Sequence, residues 1–317
     1  RFEVRLGLVA GSADQVPDGP KVGAFADLDA LLAAVASCLW EVPTGENCCQ
    51  SQRVDCGVAG TTEMPYWDVS QVTDMSYLFS WEPAASAFNQ DLSRWNMSAV
   101  TDMSFMFNTA SAFNGDISKW DTSAVTDMSF MFFGARSFNG DISEWNTSAV
   151  TDMGGMFNQA TTFNGDISRW DTSAVTDMGF MFNAACDFNQ DISEWNVGAV
   201  TDMSSMFRGS KGDCPWLHGK GGAFNQDISN WNVMAVTEND MFPDRGTAMS
   251  EENKPCTAAG VGSDGRTRWR KCETLRHPLA TEADIIDEVT APEEAPEPTY
   301  TAADDRVETE AGGRAGG

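Results

Sequence analysis

Aspartates recur along this chain at fixed intervals, and regularly spaced carboxylates have definite chemistries open to them. Asp91, Asp116, Asp141, Asp166, Asp191 and Asp227 occupy one repeated position, and Asp74, Asp102, Asp127, Asp152, Asp177 and Asp202 occupy another. Hard cations such as calcium take several oxygen ligands, so a carboxylate-lined edge is one reading. Paired carboxylates in unlike surroundings can hydrolyse a glycoside, one as acid and the other as base or nucleophile. Equivalent positions give no aspartate a distinct environment, which argues against hydrolysis. No D-x-D-x-D-G loop supports the calcium reading. The simpler expectation is that each carboxylate accepts backbone N–H groups as a turn or helix cap.

Other reactive side chains are few. His218 and His277 both lie outside the regular repeats. No nucleophile motif, phosphate loop or H-E-x-x-H occurs, so the expectation is a protein that is not an enzyme and carries no cofactor, with calcium as the one ion considered. The eight cysteines are Cys38, Cys48, Cys49, Cys56, Cys186, Cys214, Cys256 and Cys272. An even number clustered at the two ends and beside an insertion suggests disulfides. Cys186–Cys214 and Cys256–Cys272 are the expected outer pairs, with two bridges of open connectivity among the first four. Reduced, buried thiols are the alternative. Zinc is disfavoured, because Cys48-Cys49 is not a C-x-x-C pair.

One repeated position varies: Arg94, Lys119, Glu144, Arg169, Glu194 and Asn230. Its variety marks it as solvent-facing, a candidate binding face on which Glu144 can pair with Lys119 or Arg169. Ser118, Ser143, Ser168 and Ser193, with Thr122, Thr147 and Thr172, flank it as an interrupted hydroxyl array. The insertion 208–223 breaks the period and holds Trp216, a candidate contact residue. Ser80–Ala87, with Trp81, is a weaker candidate. Asn89, Asn114, Asn139, Asn164, Asn189 and Asn225 suggest a ladder bonded along a stack. Asn96-Met97-Ser98 and Asn146-Thr147-Ser148 match the glycosylation sequon.

These side chains are positioned by a repeat. Trp67, Trp95, Trp120, Trp145, Trp170, Trp195 and Trp231 are separated by 25 residues in the middle, by 28 at the start and by 36 at the end. Such a period means one small unit copied and stacked. The unit has two halves. F-N-[GQ]-D-[IL]-S-x-W-[ND] begins at Phe88, Phe113, Phe138, Phe163, Phe188 and Phe224; V-T-D-M-x-x-[ML]-F runs from Val72–Phe79 to Val200–Phe207 and survives, altered, at Val236–Phe242. Ile117, Trp120 and Thr122 sit at offsets like those of leucine-rich repeats, which suggests a strand around Trp120–Thr122. Val125, Met128, Met131 and Phe132 fall on one apolar helical face. The expected fold is therefore an α/β repeat: a leucine-rich-repeat-like, right-handed solenoid of about seven coils, each a short parallel β-strand plus a short helix, with disulfide-tied caps. The tryptophans and methionines belong to its core.

The ends differ. Residues 1–63 form a cysteine-containing cap with a strand at Phe2–Leu8 and a helix at Phe25–Ala36; 64–243 form the solenoid; 244–276 form a second cap with Trp269; and 277–317, acidic and rich in proline and glycine, are expected to be disordered. The formal charge of −27 argues against nucleic acid as a partner. No apolar run approaches the ~18 residues of a membrane helix. The first residues lack the layout of a signal peptide, which says little about compartment.

The repeat signature F-N-x-D-[IL]-S-x-W-[ND]-x-S-x-V-T-D-M-x-x-M-F resembles that of the BspA-like leucine-rich-repeat surface proteins, the repeat of Mycoplasma lipoproteins and bacterial adhesins. The resemblance covers about residues 64–243. It implies a cell-surface or extracellular location, binding beside the strand, and adhesion to a protein or glycan; it supplies no catalytic residues. A structural spacer or subunit of a larger assembly, and an unrecognised glycan-active enzyme, are the alternatives.

Overall fold

The computed structural model describes residues 23–80, 84–209, 214, 222–237, 250, 253–255, 260–261 and 267–268. Trp81, Trp216, Trp269, Cys256, Cys272, both histidines, the strand expected at Phe2–Leu8 and the tail from 277 lie outside them. Helix α1 spans Leu28–Glu41. It starts later than Phe25 because Asp27 caps it: the Asp27 carboxylate accepts the Ala30 N–H at 3.0 Å. Leu31, Ala34, Val35, Cys38 and Leu39 form its buried face. Cys38–Cys48 and Cys49–Cys56 tie it to the loop that follows, resolving the connectivity left open by the sequence.

The expected strand-plus-helix coil is not what the chain builds. Among the described residues α1 is the one α-helix. The one strand pair is β1 (Gly260–Val261) with β2 (Thr267–Arg268), antiparallel and two residues each. The coils are chains of turns. Between neighbouring coils, β-type pairing is a single parallel bridge at each step, Asp74 to Asp102, then to Asp127, Asp152, Asp177 and Asp202.

The reason lies in where backbone N–H groups find partners. In the second half of one coil, Met103, Phe105, Phe107 and Thr109 donate to the carbonyls of Asp127, Ser129, Met131 and Phe133 in the next coil, at 2.7–2.9 Å. The residues between them turn inward on their own coil, Met106 to Met103, Asn108 to Phe105 and Ala110 to Phe107. A helix would need all these donors for itself. It is also broken at its centre: Tyr77, Phe105, Phe130, Phe180 and Ser205 have φ of 53–58°, with Gly155 at 62°. A non-glycine residue there costs about 1–2 kcal/mol, and it persists because bonds from both sides fix the turn.

The expected strand fails for a related reason. The residue after each tryptophan accepts the N–H two positions on, as Asp121 does from Ser123 at 3.1 Å, and Trp120 N–H folds back to Ile117 O at 3.3 Å. Both close turns. Three such side-chain-locked corners occur in one coil: Asp116 with Ser118, Asp121 with Ser123, and Asp127 with Ser129.

What the periodicity did specify is the interior. All seven repeat tryptophans are 3–4% exposed. Trp120, Trp145, Trp170, Trp195 and Trp231 stack with centroids 6.1–6.4 Å apart. Each indole N–H donates to a carbonyl in the preceding coil, as Trp145 does to Ile117 O. Phenylalanines pair within the core at 3.8–3.9 Å, as in Phe132–Phe138 and Phe157–Phe163. The Trp195–Trp231 spacing of 6.4 Å matches its neighbours, so the insertion leaves the register intact. The ladder continues past the last tryptophan: Ser250 N–H donates to Asn225 Oδ1 and Asn253 Nδ2 to Asn225 O.

Candidate functional site

Structure consumes most polar positions. In the exposed aspartate column, Asp91, Asp116, Asp141, Asp166, Asp191 and Asp227 each accept the backbone N–H of the serine two residues on, at 2.8–3.0 Å. In the half-buried column, Asp74, Asp102, Asp127, Asp152, Asp177 and Asp202 do the same toward Ser76, Ser104, Ser129, Gly154, Gly179 and Ser204. The asparagines form the ladder expected of them: Asn114 N–H donates to Asn89 Oδ1, and the pattern repeats through Asn139, Asn164, Asn189 and Asn225. Thr122, Thr147 and Thr172 are buried, their hydroxyls donating to the next coil. They cannot contribute to a surface hydroxyl array. Asn96 and Asn146 are exposed, but each Oδ1 is held by Ser98 or Ser148.

The two aspartate columns differ electrostatically. Hydrogen bonds from Ser118, Ser143 and Ser168 hold Asp116, Asp141 and Asp166 below the ordinary carboxylate range. Burial pushes Asp152 and Asp177 above it, assisted by the neighbouring carboxylates. A raised folded pKa means that the ionised group costs stability at neutral pH, and that the cost disappears as pH falls through the raised value. Asp177→Asn should therefore raise the neutral-pH Tm by up to about 2 °C, with a gain that shrinks on acidification. Asp166→Asn should lower it, because a depressed pKa contributes stability above the unfolded value that is lost as pH falls through the folded one. Melts at pH 7.5 and in the acid range, followed by circular dichroism, check both signs.

The variable column faces solvent, with Arg94, Lys119, Glu144, Arg169, Glu194 and Asn230 all exposed. Arg169 lies 3.6 Å from Glu144, an exposed pair contributing ~0–1 kcal/mol. Arg94 sits over the Tyr66 ring, 4.8 Å from its centroid. At the far end an open polar hollow of about 330 Å³ is lined by Asp191, Ser193, Gln226, Asp227, Ser229 and Asn230. Gln226 and Asn230 span its coils, donating to Asn189 O and Ser193 O.

A third disulfide, Cys186–Cys214, ties the insertion to the stack. The sulfurs of Cys48, Cys49 and Cys56 lie within 4.8 Å of one another, but each belongs to a disulfide and offers no thiolate to a metal.

One surface feature escaped the periodic reading. One of the two positive-φ positions of the coils forms a column of its own, Tyr77, Phe105, Phe130, Gly155, Phe180 and Ser205; Thr109, Gly134, Gln159 and Ala184 occupy the other. Tyr77 is 48% and Phe180 38% exposed. Tyr77 stacks on Phe105 at 4.6 Å, and Phe105 on Phe130 at 4.8 Å. The available signal was a glycine sharing a column with tyrosine, phenylalanine and serine, which marks a backbone position rather than a packing one.

Stacked coils that commit their interior to packing, their corners to side-chain-locked turns and a few columns to solvent define a repeat scaffold. The chain belongs to the family described as Mycoplasma protein of unknown function, DUF285, whose model matches residues 58–164, 112–214 and 166–254. No curated protein and no solved structure matches it.

Proposed function

We propose that this protein is a non-catalytic adhesive scaffold, BspA-like in role, that binds a protein or glycan partner at a cell surface or in an extracellular assembly. The observation that carries this reading is the exposed column Arg94, Lys119, Glu144, Arg169 and Glu194, one variable side chain per coil, beside aspartate and asparagine columns whose side chains are occupied by turn and ladder bonds. A strip of this kind binds by many weak contacts held in fixed register. The disulfides fit an oxidising environment. Among the described residues no helix is long and apolar enough to cross a membrane.

The test is adhesion of beads coated with the protein to cultured cells and to extracellular matrix, at low and high salt, with and without a chelator. Arg94→Ala, Lys119→Ala and Arg169→Ala together should reduce bead retention about tenfold or more while moving Tm by less than about 2 °C. Silent substitutions would instead favour a structural spacer. Loss of retention with chelator would assign a role to calcium.

A further inference from the structure

The N-terminal cap gathers four sulfurs into one place, which two independent staples do not require. Cys38–Cys48 and Cys49–Cys56 are separate bridges, yet Cys48 Sγ lies 3.8 Å from Cys49 Sγ. The sulfurs of Cys48, Cys49 and Cys56 are all within 4.8 Å of one another, and among the described residues no other three histidine, cysteine or carboxylate ligands are so close. Cys38 Sγ joins them through its bond to Cys48. Cys38 and Cys48 are fully buried, and Cys49 and Cys56 are nearly so.

The spacing has a chemical meaning. A tetrahedral zinc ion with Zn–S bonds of about 2.3 Å holds its sulfurs about 3.8 Å apart. Cys48 and Cys49 already stand at that separation. The Cα atoms of the two bridges are 5.2 and 5.7 Å apart, a distance that leaves room for each bonded pair to open to the same spacing by rotation about χ1. The adjacent cysteines need no C-x-x-C spacing, because the 3₁₀ turn Cys48–Gln50 brings both thiol positions to one interior.

The cluster is also held together by bonds that reduction leaves untouched. Asp55 N–H donates to Ser37 Oγ at 2.9 Å, which ties the loop to α1, and Arg53 lies 3.5 Å from Glu41. Phe25 packs on Trp67 with centroids 5.2 Å apart, and its N–H donates to Asp68 O, so the cap stays seated on the first coil. The bridges close short segments, with sequence separations of 10 and 7, and short loops gain least from cross-linking.

We propose that the reduced cap is a zinc site, in which Cys38, Cys48, Cys49 and Cys56 bind one zinc(II) ion as four thiolates. Two molecules of a dithiol reductant each pass two electrons and two protons to one bridge and become disulfides themselves. The four thiols then release four protons as the metal binds, and its oxidation state does not change. With four protein ligands and no exposed face the site is structural and leaves no position for a substrate. The disulfides and the ion are thus alternative staples for a cap too small to hold itself by core packing. The inference concerns residues 38–56 and stands apart from the adhesive reading of the charged column.

The test uses the full chain, reduced with a phosphine under nitrogen and desalted, so that no small thiol competes for metal. Cobalt(II) should give the visible spectrum of a tetrahedral thiolate complex at one ion per chain, and zinc should bleach it; the oxidised chain should give neither change. Alkylation of the reduced chain with and without zinc, mapped by mass spectrometry, should be slowed about tenfold or more by the metal at Cys38, Cys48, Cys49 and Cys56 and not at Cys186 or Cys214. Cys48→Ser should weaken zinc binding about 100-fold or more, the upper end of what loss of a hydrogen-bonding partner behind a ligand costs. Cys186→Ser with Cys214→Ser, and Cys256→Ser with Cys272→Ser, should each leave it within about twofold, as expected of independent sites. No tetrahedral cobalt spectrum from the reduced chain, undiminished affinity in Cys48→Ser, or equal protection of Cys186 and Cys214 would each overturn the proposal.

Discussion

Trp145→Ala is expected to lower stability by about 3–5 kcal/mol and to split the unfolding transition. The indole is 4% exposed and stacks between Trp120 at 6.1 Å and Trp170 at 6.4 Å. It also packs on Phe132 and donates to Ile117 O at 3.2 Å. Removing it opens a cavity, strips both neighbours of a stacking partner and leaves the Ile117 carbonyl with the Trp120 N–H alone. In a stack whose coils touch only adjacent coils, a weak link at the centre divides the cooperative unit, whereas the same loss near the end frays it. Trp231→Ala should accordingly cost less. Urea unfolding followed by circular dichroism would show the difference. A Trp145→Ala midpoint indistinguishable from the parent would mean that the coils do not share one interior.

Removing the Cys186–Cys214 bridge should cost about 3 kcal/mol, since it closes a segment with a sequence separation of 28. Cys186 and Cys214 are both buried, and Ala223 N–H donates to Cys186 O at 2.9 Å, so the bridge sits where the chain re-enters the stack after the insertion. Without it the last coil is held by rung bonds such as Asn225 N–H to Asn189 Oδ1 and by the Trp195–Trp231 and Phe188–Phe224 stacks. Cys186→Ala with Cys214→Ala should lower Tm by roughly 6–12 °C. Hydrogen exchange should accelerate first at 224–236 while 100–180 stays protected. Uniform acceleration along the whole chain would show that the bridge acts globally.

The sequence carried the interior and the register, because both depend on which side chains recur. Tryptophan, phenylalanine and methionine positions, the asparagine ladder and the Cys186–Cys214 pair were all legible for that reason. The local backbone was not. Val125, Met128, Met131 and Phe132 satisfy a helical spacing, yet the same side chains reach the core from a turn whose centre, Phe130, has φ of 53°. Hydrophobic spacing reports which way side chains point and is silent on where N–H groups bond. Here the adjacent coil outcompetes the helix for them. The strand expected at Trp120–Thr122 failed likewise, to the Asp121-x-Ser123 corner, whose residues are visible in the sequence but whose turn was expected only at the two aspartate columns. The charged column was read correctly as solvent-facing. The aromatic column was missed because one glycine and one serine in it disguise its chemistry. Trp216, Cys256 and Cys272 fall outside the described residues.

The rung bonds that join coil to coil are the same at every interior step: Thr126 to Thr101, Thr151 to Thr126 and Thr176 to Thr151, each at 2.8–2.9 Å. Any interior coil thus fits above or below any other. Unequal recombination that gains or loses one 25-residue unit between Val100 and Val175 would preserve every interface, so lineages can lengthen or shorten this molecule without redesigning it. The cysteine-anchored insertion has no such freedom, and it would travel as a fixed landmark in length variants.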